Sequence, residues 1–254
     1  MDGPNPLAVA LSIVRSLFTT GRPSFGDAPG PSHEILAVVL DDLARSGMRA
    51  LGARRQDLAA YLSHMEVIDP STLDRQASLA YWLNVYNAGA LALAGAAALE
   101  GAPSVLRVPG GFSSPFATIA EERLSLDAIE HGKIRRFKDP RIHGALVCGS
   151  VSCPTLRPTP YAGPGLDDQL EHQMRTFMSG GGVQYDATTN TLHLSRVFLW
   201  YGGDFVRPHR MPTFIPARQA HLLNALRPWM AGHVTSDASI AFQSYDWGLR
   251  CAVG

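Results

Sequence analysis

The sequence is poor in cysteine, and this excludes two classes of small-domain architecture. Its 254 residues include three cysteines, at positions 148, 153 and 251. An odd, small number of thiols in a chain of this length argues against a disulfide framework. Three thiols are also too few for a four-cysteine zinc site, so any metal would need histidine or carboxylate ligands as well.

The chain has no net charge. Lys plus Arg and Asp plus Glu each count 22, so there is no overall electrostatic reason to expect nucleic acid or an anionic membrane as a partner. The basic run 133–138 is typical of the solvated C-terminal end of a helix. We expect a small-molecule or peptide-like substrate, no nucleic acid and no membrane, and the composition leaves the oligomeric state open.

Long apolar runs and export signals are also lacking. The apolar stretch from Leu7 to Phe18 has no basic region before it, is interrupted by Arg15 and has no convincing cleavage site. No run reaches the roughly 20 apolar residues that span a bilayer. The most apolar segment, 88–99, is rich in alanine and indicates a buried core helix. These features predict a cytoplasmic protein, and a processed precursor would present the same sequence.

The hydrophobic content favours a folded protein. Hydrophobic residues make up 46% of the chain and charged residues 17%, which supports a large buried core and not disorder. Turn-forming residues dominate 19–32 and predict a loop. We therefore expect an N-terminal segment, 1–32, with a short helix and this loop, followed by a single domain, 33–254.

Helical patterns prevail early in the chain and strand patterns late. We predict helices at 33–46 with Ser32 as N-cap, 55–65, 73–99, 126–137 with Ser125 as N-cap, 166–178 and 217–230. We predict strands at 142–148 and 240–242, and a β-hairpin from 183–186 and 191–195. Without regular βαβ alternation, this order predicts an α+β fold in which a helical N-terminal half packs on a small, mainly antiparallel sheet.

Several segments, in the expected order, resemble the family called domain of unknown function 547. They are Tyr81-Trp82-Leu83-Asn84-Val85-Tyr86-Asn87-Ala88, then 126–131 with Arg135, then 139–146 continuing into 148–154, then Trp200-Tyr201 with Asp204-Phe205, and finally Tyr245-Asp246-Trp247. The resemblance covers about residues 75–250. It implies an α+β domain whose polar positions converge, but it supplies no reaction. Val147 stands where relatives often have Asn, and relatives are often exported.

Cys148 is the candidate nucleophile. At the end of an apolar strand and before Gly149-Ser150, its thiol would face a cleft with backbone N–H groups nearby for an oxyanion. A reactive cysteine needs a lowered pKa or a neighbouring base, since the thiolate is the nucleophile. The alternative is a buried, inert thiol. Cys153 is a candidate resolving thiol, nucleophile or disulfide partner, because the spacing permits each. Cys251 is expected to be incidental.

Two histidines are candidates for the base. On a regular strand, His143 and Cys148 would point to opposite faces and lie about 17 Å apart at a rise of about 3.3 Å per residue. His131, on the preceding helix, is free of this restriction, and Asp127 is four residues earlier on the same helix face. We therefore favour His131 over His143 as the base.

Amides and carboxylates complete the candidate site. Asn84 and Asn87 lie in an otherwise apolar helix, where unpaired amides are costly. The structural interpretation is that both brace neighbouring loops. The functional interpretation is that Asn87 orients a histidine or contacts substrate, and Glu130 is a second candidate for orienting the base.

Two arginines are candidate ligands for a substrate carboxylate. Arg135 and Arg141 each carry a fork of donors suited to that role. The alternative is pairing within the protein, with Glu130 or Asp204. The glycine pairs and triplets at 110–111 and 180–182 lack the strand-to-helix context of a phosphate loop, so we expect no nucleotide and no other cofactor.

Together these residues predict a thiol-dependent hydrolase or acyl transferase acting on an amide, peptide-like or thioester bond. One alternative is a non-catalytic binding or structural module. Another is a metal-binding domain that uses Glu130, His131, His143 and Cys148. The candidate catalytic residues are Cys148, His131, His143, Glu130 and Asn87, and the candidate substrate-binding residues are Arg135, Arg141, Cys153 and Asn84.

Overall fold

The computed structural model describes residues 6–213, 215–230, 232 and 234–254, so the first five residues of the predicted N-terminal segment lie outside it. Within these ranges the chain forms ten α-helices and five β-strands. The helices are α1 (Pro6–Thr19), α2 (Glu34–Ser46), α3 (Arg49–Ala53), α4 (Arg55–Glu66), α5 (Arg75–Leu99), α6 (Leu126–Gly132), α7 (Ile142–Ala145), α8 (Leu166–Phe177), α9 (Arg196–Val206) and α10 (Gln219–Leu226). The strands are β1 (Ala117–Ile119), β2 (Glu122–Leu124), β3 (Val183–Asp186), β4 (Thr191–Leu194) and β5 (Ser239–Phe242).

Helix α5 is the centre of the larger core. Its N-cap Asp74 accepts a hydrogen bond from the backbone N–H of Ala77 at 2.8 Å, which satisfies a donor that the first turn leaves unpaired. By length and composition alone the helix could cross a membrane, but 72% of its most apolar 18-residue window is buried inside the protein. Burial on nearly every face explains why its sequence is apolar all round. It is the core helix that the alanine-rich composition predicts.

Two hydrophobic cores organise the rest of the chain. The first is built by α2 to α7, with the loop after α7 and Cys251 near the C-terminus. The second is formed by α8, α9, α10 and the three-stranded sheet. Helix α8 contributes to both, through Leu166 and Leu170 in the first and Met174 and Phe177 in the second. It therefore joins the two cores.

Both sheets are small. Strands β1 and β2 pair antiparallel, with Ala117 opposite Leu124. Strands β3 and β4 form the expected hairpin, and β5 adds parallel to β4. The α+β class and the hairpin are confirmed.

The strand predicted at 142–148 is wrong. Residues 142–145 form α7, and the chain continues in an extended conformation without sheet partners among the described residues. A short apolar run does not distinguish a buried strand from a buried helix. Asp139 accepts a hydrogen bond from the backbone N–H of Arg141 at 3.0 Å and favours a turn before α7. The side chain of Asn87 then provides the backbone pairing that a neighbouring strand would have supplied.

Candidate active site around the Cys148 thiol

The sulfur of Cys148 lies among several hydrogen-bonding groups, which we call the thiol cluster and define as Cys148, Ser150, Cys153 and Tyr245. The Cys148 Sγ is 2.9 Å from the Ser150 Oγ, 3.2 Å from the Tyr245 hydroxyl and 2.9 Å from the Cys153 Sγ. All three cysteines of the chain are free, and Cys148 and Cys153 are partly exposed whereas Cys251 is buried. A thiol with several hydrogen-bonding neighbours, on a partly exposed residue, is suited to react as a thiolate.

Local turns and a long-range bridge build this cluster. Gly149 has a φ of +76°, the left-handed region that favours glycine, and this turns the chain directly after Cys148. Ser150 then pairs antiparallel with Leu249. This pairing brings the C-terminal segment that carries Tyr245 alongside the turn, so the Tyr245 hydroxyl reaches the sulfur from 97 residues away.

The two thiols of the thiol cluster differ in pKa. The hydrogen bond from Cys153 has the largest effect on the pKa of Cys148 and lowers it. Burial raises this pKa and the hydroxyls of Ser150 and Tyr245 lower it, so that the pKa falls to about 7. Burial and the neighbouring Cys148 raise the pKa of Cys153 well above its ordinary value. Cys148 is therefore the thiol of the pair that ionises first, while Cys153 keeps its proton.

A second group of polar side chains lies deeper, and we call it the imidazole cluster. Its members are Glu130, His131, Arg135, His143, Tyr201 and Asp204. The carboxylate of Asp204 accepts from His143 Nε2 at 2.9 Å and from Arg135 at 2.8 and 3.0 Å. Burial raises the pKa of Asp204, but the hydrogen bonds from His143 and Arg135 outweigh it, so the pKa lies well below the usual range. Since a carboxylate only accepts, Nε2 of His143 carries a proton.

His131 is held in one tautomer. Its Nδ1 lies 3.3 Å from the guanidinium of Arg135, which can only donate, so Nδ1 accepts and the proton of the neutral ring is on Nε2. Burial lowers the pKa of His131 to about 4, although Glu130 opposes the effect. His131 is therefore neutral at neutral pH.

Tyr86 contacts the imidazole cluster. Its hydroxyl donates to Glu130 at 3.1 Å. Burial, Glu130 and then Cys148 raise the pKa of the Tyr86 phenol, so the hydroxyl lies within electrostatic range of both the carboxylate and the thiol. Burial also raises the pKa of Glu130, but His131 and the hydroxyl of Tyr201 outweigh it and hold the pKa below its usual value.

The predicted contact between a histidine and the sulfur is not present. Among the residues that the structure describes, neither His131 nor His143 hydrogen-bonds Cys148. Asp127, four residues before His131 on the same helix, instead accepts from Ser12 of α1 through its carboxylate, and it is the guanidinium of Arg135 that contacts the ring of His131. The calculated separation of His143 and Cys148 does not apply, since it assumed a strand.

Comparison with known proteins finds a family for part of the chain. Residues 70–178 match the family model described as "Protein of unknown function, DUF547". These residues are a DUF547-family domain. The matched range includes Tyr86, Glu130, Cys148 and Cys153, and the resemblance predicted from the sequence is confirmed there. Tyr245 and the rest of the C-terminal segment lie beyond it.

One relative of the DUF547 domain has a functional name. Nod factor hydrolase protein 1 of Medicago truncatula is 28% identical over 143 residues, which is 55% of this chain and 34% of that protein. The similarity thus spans about a third of the relative's length. No solved structure gives a significant match to the chain.

Two asparagines of the DUF547 domain clamp the backbone. Asn87 donates to the carbonyl of Ala145 at 3.0 Å and accepts from the N–H of Val147 at 3.1 Å. Asn84 makes the same pair of bonds to Tyr161, at 2.8 and 2.9 Å. The structural interpretation of both residues is confirmed. Because the segment held by Asn87 leads directly into Cys148, this side chain positions the loop that carries Cys148.

Both candidate substrate-binding arginines have partners within the protein. Arg135 is buried against Asp204, one of the two pairings considered from the sequence. Arg141 pairs instead with Asp139 at 2.7 Å and with Asp167 at 2.6 Å, outside both clusters. Neither guanidinium is left without a carboxylate to neutralise it.

The four residues considered as metal ligands divide between the two clusters. Cys148 belongs to the thiol cluster, while Glu130, His131 and His143 belong to the imidazole cluster. Among the described residues, no group of three or more His, Cys, Asp or Glu side chains is arranged to hold a metal ion. The metal-site alternative therefore has no geometric support in this part of the chain.

Sequence reasoning assigned no role to several residues of these clusters. Tyr86, Tyr201 and Tyr245 stand in segments that carry the family resemblance, which was the available signal, whereas Asp204 was considered only as an ion-pair partner of the arginines. Ser150 was considered only as a small turn residue. Tyr201 is central, since its ring stacks on that of His143 with the centroids 4.1 Å apart.

Proposed function

We propose that the DUF547 domain is a thiol-dependent hydrolase or acyl transferase in which the thiolate of Cys148 attacks a carbonyl carbon. The observation that carries the proposal is the arrangement of Cys153, Ser150 and Tyr245 around the sulfur of Cys148, a partly exposed residue. Hydrogen bonds to the charged form stabilise it and lower a pKa. The nucleophile is therefore activated without an imidazole beside it.

The same donors suit the step that follows attack. As the S–C bond forms, the π electrons of the carbonyl move to its oxygen, and negative charge leaves the sulfur. The hydroxyls of Ser150 and Tyr245 lie 2.9 and 3.2 Å from the sulfur, and Ser150 donates to Tyr245, so this linked pair is close enough to stabilise the oxyanion. They are the proposed stabilising groups.

The environment of the sulfur favours a thioester over an amide. An amine leaving group must gain a proton before it departs, and a cysteine hydrolase usually supplies that proton from an imidazole. In the described part of the chain no imidazole contacts Cys148. A thiol leaving group has an ordinary pKa of about 8.5 and departs as a thiolate without a donor. Thioesters are therefore the proposed first substrates, ahead of amide or peptide-like bonds.

An aromatic cluster beside the thiol offers a surface for the acyl group. The rings of Trp200, Tyr245 and Trp247 pack with centroid separations of 4.8, 5.8 and 4.6 Å. Trp200 is 42% exposed, and Tyr245 connects the cluster directly to Cys148. Such a surface favours an apolar or planar group next to the reacting carbonyl. The name of the Medicago relative supports hydrolysis as the outcome of the reaction.

The proposed compartment is the cytoplasm. Cys148 and Cys153 are free and partly exposed, and a reducing compartment keeps such thiols reduced.

The test is acyl transfer to the protein from two simple donors, p-nitrophenyl acetate and S-phenyl thioacetate. We expect release of p-nitrophenol or thiophenol, and a mass gain of one acetyl group that maps to Cys148. The Cys148→Ser variant should lose the adduct, while Cys251→Ser, which changes the buried thiol, should keep it. The proposal is wrong if Cys148→Ser turns over both donors like the wild type.

A non-catalytic module is the second candidate. It is favoured by the commitment of Asn84, Asn87, Arg135 and Arg141 to partners within the protein. In such a module Cys148 would react with iodoacetamide as an ordinary thiol does, with a midpoint at or above about pH 8.5. A midpoint near pH 7 favours the enzyme.

A further inference from the structure

We infer that Cys148 and Cys153 form a reversible disulfide when a hydroperoxide is present, and that this disulfide switches the site off. The effect on activity rests on the proposed function. The reaction between the two thiols does not, because it follows from the geometry of the pair.

The two sulfurs are already in contact. They lie 2.9 Å apart as free thiols, and the backbone N–H of Cys148 donates to the Cys153 Sγ at 2.8 Å. A disulfide bond is about 2.05 Å long, so bond formation requires a shift of less than about 1 Å. The turn between them, with its bond from the N–H of Cys153 to the carbonyl of Ser150 at 3.2 Å, holds the pair together.

The two thiols differ in the way that a peroxide-sensitive pair requires. A sensor cysteine is partly exposed, has thiolate character and lies beside a resolving cysteine. Cys148 has these properties, since the thiol cluster lowers its pKa, and Cys153 stays protonated until it is needed. Cys251 is buried, and its pKa is raised to about 12, mainly by burial. It is therefore the natural control.

Hydrogen peroxide is the proposed oxidant, and the reaction balances in two steps. The Cys148 thiolate attacks one peroxide oxygen, so that an S–O bond forms and the O–O bond breaks. This gives a sulfenic acid and hydroxide, which becomes water on taking up a proton. Cys153 then loses its proton and attacks the sulfenic sulfur, so that an S–S bond forms, the S–O bond breaks and hydroxide leaves with that proton as a second water. Two thiols supply two electrons to one peroxide.

The disulfide removes the nucleophile from the proposed reaction. Cys148 no longer offers a thiolate to a carbonyl, and the hydroxyls of Ser150 and Tyr245 lose the charge that they stabilise. A dithiol reductant restores both thiols by exchange. The consequence is a site that works only in its reduced state.

The experiment treats the whole chain with one equivalent of hydrogen peroxide, blocks remaining thiols with iodoacetamide and maps the peptides by mass spectrometry. We expect a Cys148–Cys153 disulfide in the wild type and in Cys251→Ser, and its loss after dithiothreitol. The variants Cys153→Ser and Cys153→Ala, each checked for folding by circular dichroism, should stop at a Cys148 sulfenic acid that dimedone traps.

Over-oxidation of Cys148 in the wild type with Cys153 still free, or a disulfide that involves Cys251, overturns the inference. Its failure is distinct from that of the proposed function, because the mass readout needs no substrate. A disulfide without an acetyl adduct would support the inference and contradict the proposed function. An acetyl adduct without a disulfide would support the proposed function and contradict the inference.

Discussion

Replacing Tyr245 by phenylalanine should raise the pKa of Cys148. The hydroxyl lies 3.2 Å from the sulfur and 3.0 Å from Ser150, so the substitution removes one of the donors that stabilise the thiolate. The ring, and its packing on Trp200 and Trp247, stays in place. The change therefore tests the hydrogen bond and not the fold.

The size of the effect follows from the strength of such a bond. A hydrogen bond to a charged group contributes about 1.5–3 kcal/mol, and one pKa unit corresponds to about 1.4 kcal/mol. Because Cys153 remains a donor, and the Ser150 hydroxyl that donates to Tyr245 in the wild type is released to turn towards the sulfur, we take the lower end, about one unit. The pKa of Cys148 should move from about 7 to about 8.

Alkylation by iodoacetamide measures this shift. Its rate at Cys148, followed by peptide mapping over roughly pH 5 to pH 10, reports the thiolate. At pH 7 the thiolate fraction should fall from about one half to about one tenth. Since a more basic thiolate is a better nucleophile, its intrinsic rate should rise about threefold. The expected result is a rate about twofold lower at pH 7 and a plateau about threefold higher.

Tyr185→Phe is the matched control. The hydroxyl of Tyr185 donates to Asn190 within the β-hairpin, so the same chemical change there should leave the profile of Cys148 unmoved. A wild-type midpoint at or above the ordinary thiol value would refute the reasoning. So would a Tyr245→Phe profile that superimposes on that of the wild type.

Three further predictions concern stability, measured by urea unfolding. Asn87→Leu removes two backbone hydrogen bonds and orphans their buried partners, so it should cost about 2–4 kcal/mol; a loss below 1 kcal/mol would contradict the clamp. Asp204→Asn leaves the buried charge of Arg135 without its carboxylate and should cost about 3–5 kcal/mol, whereas wild-type stability would exclude a buried ion pair. The pKa of His131 is about 4 in the folded protein, below its value in the unfolded chain. As the pH falls, the unfolded chain therefore binds the proton first and is stabilised relative to the folded protein. The contribution of His131 to the free energy of unfolding should be complete above about pH 6.5 and fall by up to about 3 kcal/mol towards pH 4. The His131→Gln variant should show a smaller fall. An equal fall in the wild type and the variant would contradict this prediction.

Elements with strong local signals could be predicted from the sequence. Ser125 caps α6 by accepting from the N–H of Ala128 at 3.1 Å, as a serine before an apolar helix indicates. The hairpin of β3 and β4 follows from alternating strands on either side of turn residues. Both signals are local, because the groups that satisfy each other are a few residues apart in the chain.

Helix α9 shows where such signals fail. It contains Gly202 and Gly203, which disfavour a helix by about 1 kcal/mol each relative to alanine, and so its helical pattern is masked. The glycines are needed there, since a Cβ on Gly203 would meet the carbonyl of Ile215 at 2.3 Å. Tertiary packing decides this helix, and with it the positions of Tyr201 and Asp204.

The sequence by itself determined the α+β class, the DUF547 resemblance confirmed over residues 70–178, and the polar segments that carry the thiols, the histidines and the asparagines. Only the tertiary structure decided which of these side chains meet. Asp204 holds His143 across 61 residues and Tyr245 reaches Cys148 across 97. Local hydrogen bonds and hydrophobic periodicity are set by neighbours in the chain, but a pairing between distant side chains exists only once the packed cores have fixed both backbones.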